Sequence, residues 1–177
     1  SRYGASPLMG ELYQLAQHPL VEGAILDVTG EPAVAAAYIA WDADPGNWQR
    51  ANEVAEAIKT LIDQYTIAYP NLQYLVIVGG DEIIPFYRLA DQNSTVWQED
   101  DYAPYLRPST VQSALASNRL LTDDFYADRL PTTVNSPFWF DGHPLYIPDF
   151  ALGRLVETPE EIMAVIDAFL TNNGIIT

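Results

Sequence analysis

The chain has 177 residues with 24 acidic against eight basic side chains, a net charge of −16 that repels phosphate backbones and argues against nucleic acid as a partner. Lys59 is the single lysine, so no polybasic membrane anchor exists, and no apolar run approaches the ~18–20 residues of a membrane span. Cysteine is absent, which excludes disulfides, zinc–thiolate sites and a cysteine nucleophile within this chain.

Hydrophobic residues make up 49% of the chain, enough for a packed core. Leu8, Leu12, Leu15 and Ala16 recur at helical spacing and predict a helix over Pro7 to Gln17, with Ser6 as its N-cap and His18-Pro19 as its stop. Val21 to Val28 (VEGAILDV) reads as a strand that turns at Thr29-Gly30. Ala33 to Trp41 is ambiguous between helix and a short strand at its end. Asp42 to Asn47 has the composition of a loop. Trp48 to Tyr69 is the clearest helix, with Val54, Ala57, Ile58, Leu61, Ile62 and Tyr65 on one stripe and acids on the other faces. Gln73 to Val78 lacks alternation, the pattern of a strand buried on both faces of a parallel sheet.

Residues 86–144 differ in texture. Prolines, tyrosines and acidic pairs predominate, and one short helix near Thr110 to Ser117 is expected within a loop-rich excursion. Apolar character returns over Tyr146 to Leu155. Thr158-Pro159-Glu160-Glu161 then spells a capping box with proline at the first helical position, before the apolar face of Ile162, Val165, Ile166, Phe169 and Leu170. Asn172-Asn173-Gly174 ends that helix. These elements predict an α/β fold: three αβα layers around a small, mainly parallel sheet, forming one subdomain over residues 1–177.

Four stretches carry a family resemblance. Tyr74–Gly80 followed by Ile84-Pro85 resembles the gingipain-family strand and its "VGD…IP" turn. Thr122 to Asp128 is similar to the family's "(S/T)D–x–x–Y" segment. Ile147 to Leu155 resembles its "PD–x–x–(I/L)GR" strand, and Thr158 to Leu170 the helix that follows. The order and spacing of the four make the set more specific than any one of them. One departure stands out: Gly80 occupies the usual aspartate position, and the acid is displaced to Asp81. The resemblance implies a caspase-like fold and the N-terminal, non-catalytic subdomain of a cysteine endopeptidase. In such enzymes the histidine and cysteine belong to a second subdomain, so this chain alone should be inactive.

Further expectations follow from the resemblance. The partners are the catalytic subdomain of the same parent chain and, in that parent, a protein or peptide substrate. The parent is expected outside the cell or at its surface, and calcium is a candidate ion. Ser1 in place of methionine, with no leader-like segment before Gly10, leads to the expectation of a piece of something longer.

No G–x–S–x–G and no D–T/S–G occurs. His143, in Gly142-His143-Pro144, reads as a surface turn residue, and His18 as a local feature of a helix end. Acidic pairs are expected by chance in so acidic a chain. Two clusters suit calcium best, because hard oxygen ligands from loops favour it: Asp42 with Asp44, and Asp123, Asp124 with Asp128. The alternative for both is an Asx turn. Aromatic residues (Trp97, Tyr102, Tyr105, Phe125, Tyr126, Phe138, Trp139, Phe140 and Tyr146) crowd the loop-rich stretch. Some are expected to remain on an exposed apolar patch where a neighbour docks. The rival reading is a free-standing, non-catalytic α/β binding or scaffold module. A flavodoxin-like binder would need a phosphate-cradling first loop, and Asp27 to Glu31 is a poor one.

Overall fold

The computed structural model describes residues 7–91, 98–134 and 143–175. Ser6, Trp97, Phe138, Trp139 and Phe140 lie outside the described residues. Helix α1 (Pro7–Gln17) is followed by α2 (Pro32–Ala43) and α3 (Trp48–Ala68), which resolves the ambiguity at Ala33–Trp41 in favour of helix. Pro32 sits in the first turn of α2, where a missing N–H costs nothing. The Asn47 side chain accepts from the amides of Gln49 and Arg50 at 3.0 and 3.3 Å and so starts α3.

Strand β1 (Tyr74–Val78) comes next, then β2 (Tyr87–Ala90), α4 (Thr110–Ala116), β3 (Arg119–Thr122) and the short α5 (Asp124–Ala127). The chain continues through β4 (Thr132–Val134), β5 (His143–Leu145), β6 (Ala151–Leu155) and α6 (Pro159–Thr171). β1 and β6 run parallel, with Tyr74 opposite Ala151 and Val78 opposite Leu155. β2 pairs antiparallel with β3, and β4 with β5. The fold is mixed α/β, and the one parallel pair among the described residues joins the two strands that the sequence marks as central.

Side chains alternate across the parallel pair and define two layers. Leu75, Ile77 and Leu152 face a core built from Val34, Tyr38 and Trp41 of α2, Val54, Ala55, Ile58 and Ile62 of α3, and Phe125 and Tyr126 of α5. Val78 and Leu155, on the other face, pack against Leu8 of α1 and Ile162 and Ile166 of α6. Each large aliphatic side chain so buried stabilises the fold by roughly 1.5–3 kcal/mol. The capping box of α6 forms as its spelling predicts: Thr158 Oγ1 accepts from the Glu161 amide, and the Glu161 carboxylate accepts from the Thr158 amide at 3.0 Å.

Several expectations are corrected. Val21–Val28 is no strand. Glu22 adopts a left-handed φ of 45°, the Gly23 amide closes the end of α1 on the Ala16 carbonyl, and Val28–Gly30 forms a 3₁₀ turn capped by Asp27. β1 is not covered on both sides, since Tyr74 and Val76 are 69% and 58% exposed. The stretch 86–144 holds more regular structure than its composition indicates, in β2, β3, α5 and the paired ends of β4 and β5. Residue 143 stands in strand β5, not in a turn. Beside β2, the buried Asn52 side chain of α3 donates to the Arg88 carbonyl at 2.9 Å and accepts from the Arg88 amide at 2.8 Å.

Candidate functional site

In α/β folds the carboxyl ends of parallel strands are where chemistry usually gathers, because loops there converge above the sheet. Here the loop from Gly79 to Phe86 leaves the end of β1. Gly79 takes a φ of 124°, open mainly to glycine, and its amide bonds to the Leu155 carbonyl at 2.8 Å. The amides of Ile83 and Ile84 both turn back onto the Gly80 carbonyl at 3.0 Å.

Side chains from five elements then tie the loop down. Arg154 of β6 donates to the carbonyls of Gly79 at 2.7 Å and Ile84 at 2.8 Å, and its other edge grips Asp123 at 2.5 and 2.7 Å. Its guanidinium lies 4.2 Å from the centre of the Phe86 ring. Tyr38 of α2 donates to the Ile83 carbonyl, and Tyr126 of α5 to the Pro85 carbonyl at 2.5 Å. Asp81 accepts from the Phe86 amide at 2.9 Å, from Arg88 at 2.7 Å and from the Thr110 hydroxyl.

The Arg88–Asp81 pair is almost sealed, with side-chain exposures of 1% and 3%. Burial draws the Arg88 guanidinium below its ordinary value, while the Asp81 charge opposes that fall. Burial likewise holds the Tyr126 phenol well above its usual range. Tyr87 and Tyr146 are also raised, chiefly by burial, within a cluster where Tyr87 stacks on Phe125 at 3.9 Å and Tyr146 meets both rings edge-on.

This constellation is a clamp. Hydrolytic chemistry needs a nucleophile, an adjacent base and unpaired donors aimed at a developing oxyanion. The loop's carbonyls at Gly79, Ile83, Ile84 and Pro85 instead accept from fixed side chains, and Asp81 and Asp123 are held by arginines. Among the described residues, one open depression of about 310 Å³ lies by Pro45, Gly46, Ser109, Thr110 and Ser113, and another of about 360 Å³ by Arg129, Leu130 and Asp149. Neither holds a nucleophile beside a base.

The candidate calcium ligands are dispersed. Asp42 is exposed in the last turn of α2, and Asp44 just beyond it accepts from the Asn47 side chain at 3.1 Å. Asp123 is bound to Arg154. Asp124 opens α5 and is exposed, and its amide donates to Thr122 Oγ1 at 3.0 Å. Asp128 is buried and accepts from the amides of Leu130 at 2.8 Å and Ile147 at 2.7 Å. Among the described residues no group of three or more His, Cys, Asp or Glu is placed to hold a metal ion. His18 has the local role its position indicates, accepting from the Leu20 amide and meeting Phe169 edge-on at 5.3 Å.

Arg154 sits in the Gly-Arg pair that the sequence singles out. Tyr126 is the tyrosine of the Thr122–Asp128 segment, whereas Arg88 and Thr110 are not marked by any motif. The signal for Arg88 was available: a lone arginine within the apolar run Ile83–Ala90 needs a buried acid, and Asp81 is nearby in sequence. Fold and clamp together define a small mixed α/β unit with a braced loop at the end of its parallel strands. No protein-family model, curated protein or solved structure matches the chain.

Proposed function

We propose that this chain is the N-terminal supporting subdomain of a gingipain-like cysteine endopeptidase, with the catalytic histidine and cysteine supplied by a second subdomain of the same parent. The observation that carries the reading is the parallel pairing of Tyr74–Val78 with Ala151–Leu155, whose Arg154 braces the loop leaving the first strand. Those are the segments on which the family resemblance rests, and their pairing agrees with its motif order.

The second subdomain extends the sheet along the free edge of β6. Ladder bonds from Ala151 and to Leu155 point toward β1, so the backbone groups of Leu152 and Arg154 point away from it. None of these has a partner among the described residues, and they suit an incoming strand. The clamp keeps that edge and the adjoining loop rigid, a positioning role that leaves covalent chemistry to the partner. A secreted or surface-bound parent fits this reading. No described helix is long and apolar enough to cross a membrane.

The test is an assay of two halves. The reading frame should encode, C-terminal to this chain, a histidine and a cysteine that each follow a predicted strand. Joined to that segment, the chain should support cleavage of casein that is abolished by iodoacetamide. The chain alone should give no turnover. A frame without such a pair, or cleavage indifferent to alkylation, overturns the assignment and leaves the free-standing binding or scaffold module in its place.

A further inference from the structure

The turn that closes α1 is strained and held by a handful of bonds. Glu22 adopts a left-handed φ of 45°, a region costly for most residues with a side chain. Backbone bonds hold it from both sides. The His18 carbonyl accepts from the amides of Val21 at 2.8 Å and Glu22 at 2.9 Å, and the Ala16 carbonyl accepts from Gly23 at 2.8 Å. The Leu20 amide lies within this turn and has a side chain for its partner, donating to Nδ1 of His18 at 3.2 Å.

The same imidazole and the same leucine reach the end of α6. The His18 ring meets Phe169 edge-on at 5.3 Å. The tip of Leu20 fills the space beside Gly174, where an added Cβ would stand 2.5 Å from it. Gly174 takes a φ of 85°, and its amide bonds to the Phe169 carbonyl at 2.9 Å. The turn after α1 and the end of α6 thus form one joint, with His18, Leu20, Phe169 and Gly174 at its centre.

An imidazole nitrogen accepts a hydrogen bond only while it carries no proton. Protonation places a hydrogen on Nδ1, so the ring and the Leu20 amide become two donors facing each other. The charged residues of the elements that meet here are Glu11 on α1, Glu22 in the turn, and Glu160, Glu161 and Asp167 on α6. None of these acids is hydrogen-bonded to the ring or ion-paired with it, and its one polar partner among the described residues is the Leu20 amide.

We infer that His18 is an acid-sensitive latch: its neutral ring pins the Leu20 turn against the end of α6, and its protonated ring releases that turn. Histidine suits the task because its ordinary titration falls between about pH 5 and 8. The bond is present while the ring is neutral and is lost as pH falls through the ring's titration, the reverse of a histidine that gains an acidic partner. Strain at Glu22 favours movement once the Leu20 bond is gone. The inference does not depend on the peptidase reading, which uses the edge of β6.

The test follows the ¹⁵N-labelled chain by NMR from about pH 8 to about pH 5, reading the His18 ring protons and the Leu20 amide together. Protection of the Leu20 amide against exchange, taken relative to the intrinsic rate, should fall about fivefold with the midpoint of the ring's titration. The Gly174 amide should shift with the same midpoint. His18→Asn supplies an acceptor at the same two-residue offset that no proton removes in this range, so Leu20 should stay protected throughout. His18→Phe keeps a ring for Phe169 without an acceptor, so Leu20 should be unprotected at both ends of the range. A Leu20 amide that ignores the ring's titration overturns the inference, as does full protection in His18→Phe. A pH response that survives in His18→Asn also overturns it and moves the effect to an acid such as Glu22 or Asp167.

Discussion

Asp81 shows how much a single side chain can carry in this protein. It compensates the Arg88 charge, satisfies the Phe86 amide and holds Thr110, all behind a surface that admits almost no water. Asp81→Ala leaves a buried guanidinium without its counter-charge and should lower unfolding free energy by about 3–5 kcal/mol in urea titrations. Asp81→Ala combined with Arg88→Met should recover part of that loss, because the methionine has no charge to strand. A double variant no more stable than the single one would show that the pair is not the source of the effect. Tyr126 adds an alkaline signature. Its folded phenol is raised far above its ordinary value, so its contribution is complete below about pH 10 and is lost as pH rises, when the unfolded chain ionises first. Absorbance of tyrosinate should therefore show a late component, shared with the raised Tyr87 and Tyr146, that appears together with unfolding, and Tyr126→Phe should reduce it.

At the scale of elements, the helices with explicit punctuation were legible. The end of α1 at His18-Pro19, the start of α3 at Trp48 after the Asp42–Asn47 loop and the capping box of α6 are all set within a few residues, so the sequence displays cause and effect together. Glu161 provides a pH test of that logic. Its hydrogen bonds with Thr158 hold its carboxyl below the usual range. The cap is therefore in force above the ordinary glutamate value and is lost as pH falls through the lowered one. Amide exchange in the first turn of α6 should rise, relative to the intrinsic rate, on acidification through that window, and Glu161→Gln should flatten the response.

Elements whose cause is distant were not legible. β2 depends on Asn52, thirty-six positions earlier, and Asp123 on Arg154, thirty-one later. The acidic cluster at Asp123, Asp124 and Asp128 reads as a set of loop ligands, whereas in the fold Asp123 binds Arg154, Asp128 takes the amides of Leu130 and Ile147, and Asp124 is exposed. Val21–Val28 failed for the opposite reason. Its apolar content suits a strand, but the left-handed turn at Glu22 and the Asp27 cap hold it locally in another form.

The molecule as a whole is governed by its charge. With net charge −16 and few cations to offset it, the folded state carries substantial self-repulsion. Screening should relieve this, since the Debye length falls from about 30 Å at 0.01 M salt to about 8 Å at 0.15 M. The melting temperature should thus rise by several degrees between those conditions, measured by circular dichroism. A flat or falling response would mean that ion pairs such as Arg50–Glu53 and Lys59–Asp63 outweigh the repulsion.

The grip of Asn52 on Arg88 has a consequence for misassembly. A carboxamide offers one donor and one acceptor at the spacing of a peptide group, so it stands in for a neighbouring strand along β2. A stray chain seeking to zip onto that margin finds the docking points at Arg88 already occupied. Aspartate there would lose the donor and alanine would lose both groups, and each would leave the Arg88 backbone unpaired inside a buried margin, loosening the packing of α3 that keeps stray chains out.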